Sequence, residues 1–85
     1  MITVYSKNSC PHCVAAKNFL ASHGIEFQEI NVSEDDAALA FIKDRGHRSV
    51  PQLYVGESLL VEGGNSALQA MSADEIRARV TQLNG

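Results

Sequence analysis

The sequence predicts one α/β domain with a mixed four-stranded sheet and helices on both faces of the sheet. Near the amino terminus, a short β-strand pattern is followed by an amphipathic helical pattern and then by a second strand pattern. This is the order of a parallel β-α-β unit, whose crossover is right-handed. Two further strand patterns lie close together, as in a hairpin. Since no linker, repeat or low-complexity segment interrupts the 85 residues, we expect a single domain over residues 1–85.

The β-α-β unit begins with residues 2–5, a short and β-rich alternating run that predicts a strand. A helix is expected to begin at Pro11, because proline in the first helical position sacrifices no hydrogen bond, with Cys10 as its cap. The sequence His23-Gly24 is a typical helix end. The stripe of this helix that should face the core contains Cys13, Ala16 and Leu20. Residues 26–32 alternate again and predict the parallel strand.

The remaining chain reads as a helix, a hairpin and two further helices. An acidic cap at residues 33–36 precedes the first of these helices. Ser72 and Glu75 match a capping box, which predicts that the last helix begins there. The predicted helix, the two hairpin strands and the helix that follows them span residues 37–45, 51–55, 59–62 and 66–71.

Composition argues against several classes of function. The formal net charge is −3 and the chain has no basic stripe, so we expect no nucleic-acid partner. No apolar run approaches the ~20 residues that cross a bilayer, so we expect no membrane association. The first residues lack a charged-then-apolar signal pattern. We therefore predict a cytoplasmic protein, and because nothing in the sequence calls for an oligomer, a monomer.

The only two cysteines of the chain, Cys10 and Cys13, enclose Pro11 and His12. A bridge between them closes a loop too short to add much stability, and in a reducing compartment such a pair is more typical of redox catalysis or metal binding. Free N–H groups at the helix N-terminus favour a thiolate at Cys10, Lys7 adds a nearby cation, and His12 adds another when it is protonated. Cys13 lies one turn deeper and should ionise less readily. We therefore predict that Cys10 attacks and Cys13 resolves the mixed disulfide.

Metal binding is the alternative interpretation of the same cysteine pair. One Cys-x-x-Cys supplies two ligands, whereas a structural zinc site needs four. The three histidines, His12, His23 and His47, do not have the spacing of a zinc finger. We therefore predict no metal site, and a non-catalytic iron–sulfur or metal-binding module is kept as an alternative function.

Three motifs occur in order along the chain: Lys7-x-x-Cys10-Pro11-x-Cys13, Ser49-Val50-Pro51 and Gly63-Gly64. Together they resemble the glutaredoxins of the dithiol class, over nearly the whole chain. The resemblance implies a thioredoxin-like fold and a single glutaredoxin-like domain. It also implies a thiol–disulfide oxidoreductase that reduces protein disulfides and glutathione mixed disulfides. Glutathione would be the co-substrate, with no tightly bound cofactor.

The resemblance also implies roles for individual residues. Pro51 would be a cis-proline facing the cysteines, and Val50 would offer its backbone to the cysteinyl unit of glutathione. From the sequence alone, Ser49-Val50-Pro51 does not establish a cis bond, and the loop at 63–66 is better explained as a plain turn than as an anion site. The implied glutathione-binding residues are Lys7 and Arg48 for the glycyl carboxylate, Ser49, Val50 and Pro51 for the backbone contacts, and Gly64, Asn65 and Ser66 for the γ-glutamyl end.

The chain departs from the family pattern in ways that bear on glutathione. His12 replaces the usual tyrosine, and Ser49 replaces threonine. Ser66 and Ala67 stand where an acidic pair often holds the ammonium group of the ligand. A glutaredoxin-like electron donor to ribonucleotide reductase, recharged by thioredoxin reductase, is therefore the alternative redox function.

Overall fold

A computed structural model describes residues 1–84 and contains a four-stranded sheet flanked by helices. The elements in chain order are β1 (Ile2–Ser6), α1 (Pro11–Ser22), β2 (Phe27–Asn31), α2 (Asp36–Asp44), β3 (Gln52–Val55), β4 (Ser58–Leu59), α3 (Gly64–Gln69) and α4 (Ala73–Asn84). The strand order is β2-β1-β3-β4. Strand β1 is parallel to β2 and antiparallel to β3, and β3 is antiparallel to β4. The predicted mixed α/β sheet is confirmed.

Helices cover both faces of this sheet, because successive strand side chains point to opposite faces. In β1, Val4 points into the core under α1, α3 and α4, whereas Tyr5 points toward α2. The helical side chains that complete the first core include Leu20, Leu68 and Ile76, all with 0% exposure. Within residues 1–84, no helix has both the length and the apolar character needed to cross a membrane.

Helix α1 positions the two cysteines and has the predicted bounds at its N-terminus. Cys10 is the N-cap, and its Sγ accepts a hydrogen bond from the backbone N–H of Cys13 at 3.2 Å. The predicted inward stripe of Cys13, Ala16 and Leu20 is buried. The helix ends at Ser22 with His23 as its C-cap, and Gly24 follows with φ +67°, a conformation that favours glycine.

Two other helices are capped by side chains that the sequence indicated. Asp35 Oδ1 accepts from the backbone N–H of Ala38 at 2.9 Å at the start of α2. Ser72 and Glu75 form the predicted reciprocal capping box before α4, with bonds of 3.0 and 3.1 Å. The backbone N–H of Ser72, which donates to the Glu75 carboxylate, lowers the pKa of that carboxyl.

Strand β4 is shorter than predicted, ending at Leu59 instead of residue 62. Leu60 still donates its N–H to Leu53 O at 2.8 Å. Beyond that point, Leu60 and Val61 are both buried in the core under α1, α3 and α4, whereas Leu59 packs on the opposite face. Two consecutive residues of an extended strand cannot face the same side, so the chain must leave the ladder here.

Helix α3 begins two residues earlier than predicted, at Gly64 instead of Ser66. Gly63, with φ +103°, turns the chain from the end of the hairpin directly into the helix. The other helices and strands have the predicted bounds to within a few residues.

Candidate active site

Cys10 and Cys13 form a disulfide at the N-terminus of α1, with their Cα atoms 5.3 Å apart. Cys10 is 8% exposed and Cys13 is 1% exposed. Cys10, the more exposed of the two, is also the residue whose Sγ accepts a backbone N–H of the first helical turn. A helix N-terminus stabilises negative charge, so the local geometry favours Cys10 as the sulfur that carries the thiolate when the pair is reduced.

The loop before β3 approaches this disulfide and contains a cis peptide bond between Val50 and Pro51. The carbonyl oxygen of Val50 lies 3.9 Å from Cys10 Sγ. On the other side of the loop, Gly64 approaches so closely that a Cβ on it would lie 2.9 Å from the carbonyl oxygen of Pro51. The three motifs that the sequence analysis identified therefore meet at one place.

A groove of about 590 Å³ extends along this junction. The predicted site residues that line it are His12, Ser49, Val50, Pro51, Gly64, Asn65 and Ser66. His12 is exposed and is the member of the Cys10–Cys13 tetrad that faces this groove. Gly64 and Pro51 are buried and form its floor.

The other predicted site residues lie outside the groove, and among them Cys10, Pro11 and Cys13 line a second cavity. Lys7 also lines this cavity, which has a volume of about 380 Å³. Arg48 is exposed and lies outside both cavities. The structure therefore places the two predicted partners of the glycyl carboxylate away from the groove itself.

The groove also contains residues that the sequence analysis did not assign to it, including Arg45, His47 and Gln52. His47 is half-buried, and its Nε2 lies 2.5 Å from Tyr54 Oη. Burial raises the pKa of the Tyr54 hydroxyl above its ordinary value. The contact joins the loop to β3, and no local sequence pattern indicates it.

Arg45 closes the same end of the groove by stacking on aromatic rings. Its guanidinium carbon lies 4.3 Å from the ring centroid of Phe41 and 5.6 Å from that of Tyr54. Its Nη1 also donates to the carbonyl oxygen of Glu57 at 2.9 Å. Arg45 therefore places a guanidinium group inside the groove, and His47 places an imidazole there.

Within residues 1–84, the arrangement of side chains gives little support for a metal-binding site. Nowhere in that range do three or more His, Cys, Asp or Glu side chains come together in an arrangement that would hold an ion. The two cysteines are paired with each other.

A redox-active Cys-Pro-His-Cys pair at a helix N-terminus, facing a cis-proline on a four-stranded mixed sheet, defines a thioredoxin-like thiol–disulfide oxidoreductase. Comparison with known proteins narrows this class. The family model described as Glutaredoxin matches residues 2–60, which is more than half of the chain. The protein belongs to the glutaredoxin family.

Curated relatives and a solved structure agree with this assignment. Glutaredoxin 3 of Escherichia coli (strain K12) is 34% identical over 73 residues, covering 85% of this chain and 86% of the relative. Glutaredoxin-like protein NrdH of Lactococcus lactis subsp. cremoris is 41% identical over 51 residues, covering 60% of this chain and 71% of the relative. The crystal structure of wheat glutaredoxin superposes with a TM-score of 0.73 at 26% identity, covering 96% of this chain and 80% of that one. The predicted fold, family and enzyme class are confirmed.

Proposed function

We propose that this protein is a glutathione-dependent oxidoreductase that reduces protein disulfides and glutathione mixed disulfides. The observation that carries the proposal is the groove, which joins the Cys-Pro-His-Cys tetrad to the Gly64–Ser66 segment. A tripeptide thiol needs both a reactive sulfur and a surface that receives its extended backbone. The groove supplies the surface, and the carbonyl oxygen of Val50, which lines it, lies 3.9 Å from Cys10 Sγ. The 34% identity to a glutaredoxin over most of both chains supports the same function.

In the proposed reaction, the Cys10 thiolate attacks a substrate disulfide. A Cys10–substrate disulfide forms, and the other substrate sulfur leaves as a thiolate and takes a proton. The Cys13 thiol then loses its proton and attacks Cys10 Sγ, which releases the second substrate thiol and forms the Cys10–Cys13 disulfide. One glutathione thiolate reopens this disulfide at Cys10, and a second releases oxidised glutathione, so two glutathiones supply two electrons.

The proposed ligand contacts follow the groove from the sulfurs outward. The Val50 backbone meets the cysteinyl unit, and the γ-glutamyl end lies beside Asn65 and Ser66. Lys7 and Arg48 are proposed for the glycyl carboxylate, and both must reach it from outside the groove. The remaining proposed contacts come from Ser49, Pro51 and Gly64, while Pro11 and His12 belong to the catalytic tetrad.

The variant Ser66→Asp tests where the γ-glutamyl end binds. Ser66 is exposed and lines the groove, so a carboxylate there is placed to pair with the ammonium group of glutathione. An exposed pair contributes ~0.2–1 kcal/mol, so we expect the KM for glutathione to fall by a factor of roughly 1.4 to 5. Steady-state kinetics with a glutathione mixed disulfide as substrate provide the measurement.

The matched control is Ser66→Asn, which adds similar volume without charge and should leave the KM for glutathione near the wild-type value. A rise in KM with Ser66→Asp, or an equal fall in both variants, would contradict the proposed orientation of the ligand.

A second candidate function is an electron donor to ribonucleotide reductase that is recharged by thioredoxin reductase. The observation that favours it is the 41% identity to the glutaredoxin-like protein NrdH of Lactococcus lactis. The uncharged Ser66-Ala67 pair also favours this function, because it lacks the carboxylates that often hold the ammonium group of glutathione in the family. For either function we propose a cytoplasmic monomer whose partners are glutathione or thioredoxin reductase and disulfide-containing or glutathionylated proteins.

A further inference from the structure

The second cavity, of about 380 Å³, reaches the disulfide from a different set of residues than the groove does. Both cysteines line it, and the charged side chains around it are Lys7, Lys17 and Glu29. The groove is lined by none of these three residues. The cavity therefore places charged groups beside the disulfide that the groove does not supply.

Lys17 and Glu29 form a fixed ion pair at this cavity. Lys17 Nζ donates to Glu29 Oε2 at 2.7 Å, and Ser6 Oγ donates to the same oxygen at 2.6 Å. Ser6 is 1% exposed at the end of β1, so it anchors the carboxylate to the sheet. The hydrogen bond from Lys17, followed by that from Ser6, lowers the pKa of the Glu29 carboxyl, which favours its carboxylate form. Lys17 follows Cys13 by four residues on α1, which places the two side chains on one helix face.

The position of Cys13 poses a chemical problem for the resolving step. Its side chain is 1% exposed, and burial disfavours the thiolate that must form before it attacks Cys10. The helix N-terminus assists Cys10, which accepts the backbone N–H, more directly than it assists Cys13. A cation near Cys13 would offset part of the cost of its ionisation.

We propose that Lys17, held by Glu29 and Ser6, is a positioning residue that promotes ionisation of the Cys13 thiol in the resolving step. In that step the proton of Cys13 passes to solvent, the Cys13–Cys10 bond forms, and the Cys10–substrate bond breaks with both electrons going to the substrate sulfur. Glu29 has two opposed effects, since it fixes Lys17 in place while its own negative charge disfavours the thiolate. The inference rests on dithiol chemistry and does not depend on whether glutathione is the reductant.

The test uses the Cys10→Ser protein, in which Cys13 is a free thiol, and follows its alkylation by iodoacetamide as a function of pH. Adding Lys17→Gln leaves an unpaired carboxylate and should raise the pH of half-maximal reactivity by about 0.5. Adding Glu29→Gln leaves an unpaired ammonium group and should lower that pH by a similar amount. Lys17→Arg keeps the charge and should stay close to the parent protein.

The decisive result is a rise in the pH of half-maximal reactivity in one variant and a fall in the other. Loss of a merely structural contact would shift this pH in the same direction in both variants. The control is Arg77→Gln, which breaks the exposed Arg77–Asp74 pair on α4 and should leave the pH of half-maximal reactivity unchanged. Shifts of the same sign, or no shift in either variant with folding intact by circular dichroism, would overturn the proposal.

A kinetic measurement on proteins that retain both cysteines checks the same point. Lys17→Gln should lower reduction of a protein disulfide, which needs Cys13, about threefold more than reduction of a glutathione mixed disulfide. An equal loss in both reactions would assign Lys17 to general stability instead. Loss of glutathione turnover in every protein, with the opposite alkylation shifts intact, would overturn the proposed function and leave this inference standing.

Discussion

The substitution Cys10→Ser should abolish every exchange reaction, whereas Cys13→Ser should retain reduction of glutathione mixed disulfides. Cys10 is the shallower sulfur, and it accepts the backbone N–H of Cys13 at the start of α1. The only other cysteine, Cys13, is 1% exposed, so we do not expect it to attack a protein substrate in place of Cys10. We expect Cys10→Ser to lower all activities by at least about a thousandfold, the scale of loss for an essential nucleophile.

The effect of Cys13→Ser should depend on the substrate. A mixed disulfide with glutathione can be resolved by a second glutathione, so this activity should stay within about threefold of wild type. A protein disulfide needs the internal attack by Cys13, and its reduction should fall roughly a hundredfold. Parallel assays with one substrate of each kind provide the measurement. Equal losses in Cys13→Ser for both substrates, or activity in Cys10→Ser, would contradict the division of labour.

The substitution Gly64→Ala should damage both stability and activity, because Gly64 packs directly on the active-site proline. An added Cβ would lie 2.9 Å from Pro51 O, so the backbone of one or the other must move. Gly64 also has φ +62°, which costs alanine about 1 kcal/mol. Overpacking adds roughly 1–3 kcal/mol, so we expect unfolding to become easier by roughly 2–4 kcal/mol in total. Displacement of Pro51 should lower turnover as well.

Gly56→Ala is the matched control for the backbone effect alone. Gly56 has nearly the same conformation, φ +61°, but a Cβ there would have no heavy atom within 4 Å. It should cost about 1 kcal/mol and leave activity intact. Urea denaturation and a disulfide reductase assay on both variants give the comparison. Equal destabilisation, or full activity in Gly64→Ala, would mean that the contact with Pro51 does not position the site.

Local patterns in the sequence are sufficient to predict most of the helices and strands. Pro11 marks the start of α1, and Ser72 with Glu75 marks that of α4, because each signal acts within one helical turn. The end of β4 is predicted wrongly because Leu60 and Val61 are apolar like strand residues, while their burial on the same side depends on packing across the molecule.

The site is less predictable, because it is built from contacts between distant parts of the chain. Neither the cis bond at Val50–Pro51 nor the bond from His47 to Tyr54 has a local signature, and each depends on neighbours brought by the fold. The pairing of Lys17 with Glu29 likewise joins a helix to a strand twelve residues away. The sequence identifies residue types that carry the chemistry, whereas tertiary packing decides which cavity each one lines.

We propose that glutathione reduces this enzyme through the groove beside Cys10. The most direct test offers the oxidised protein two recycling systems in parallel, glutathione with glutathione reductase and NADPH, or thioredoxin reductase with NADPH alone. Consumption of NADPH during reduction of a protein disulfide is followed at equal enzyme concentrations. We predict rapid turnover with the glutathione system and little with thioredoxin reductase. Turnover with thioredoxin reductase and none with glutathione would contradict the claim and assign the protein to the ribonucleotide reductase donors instead.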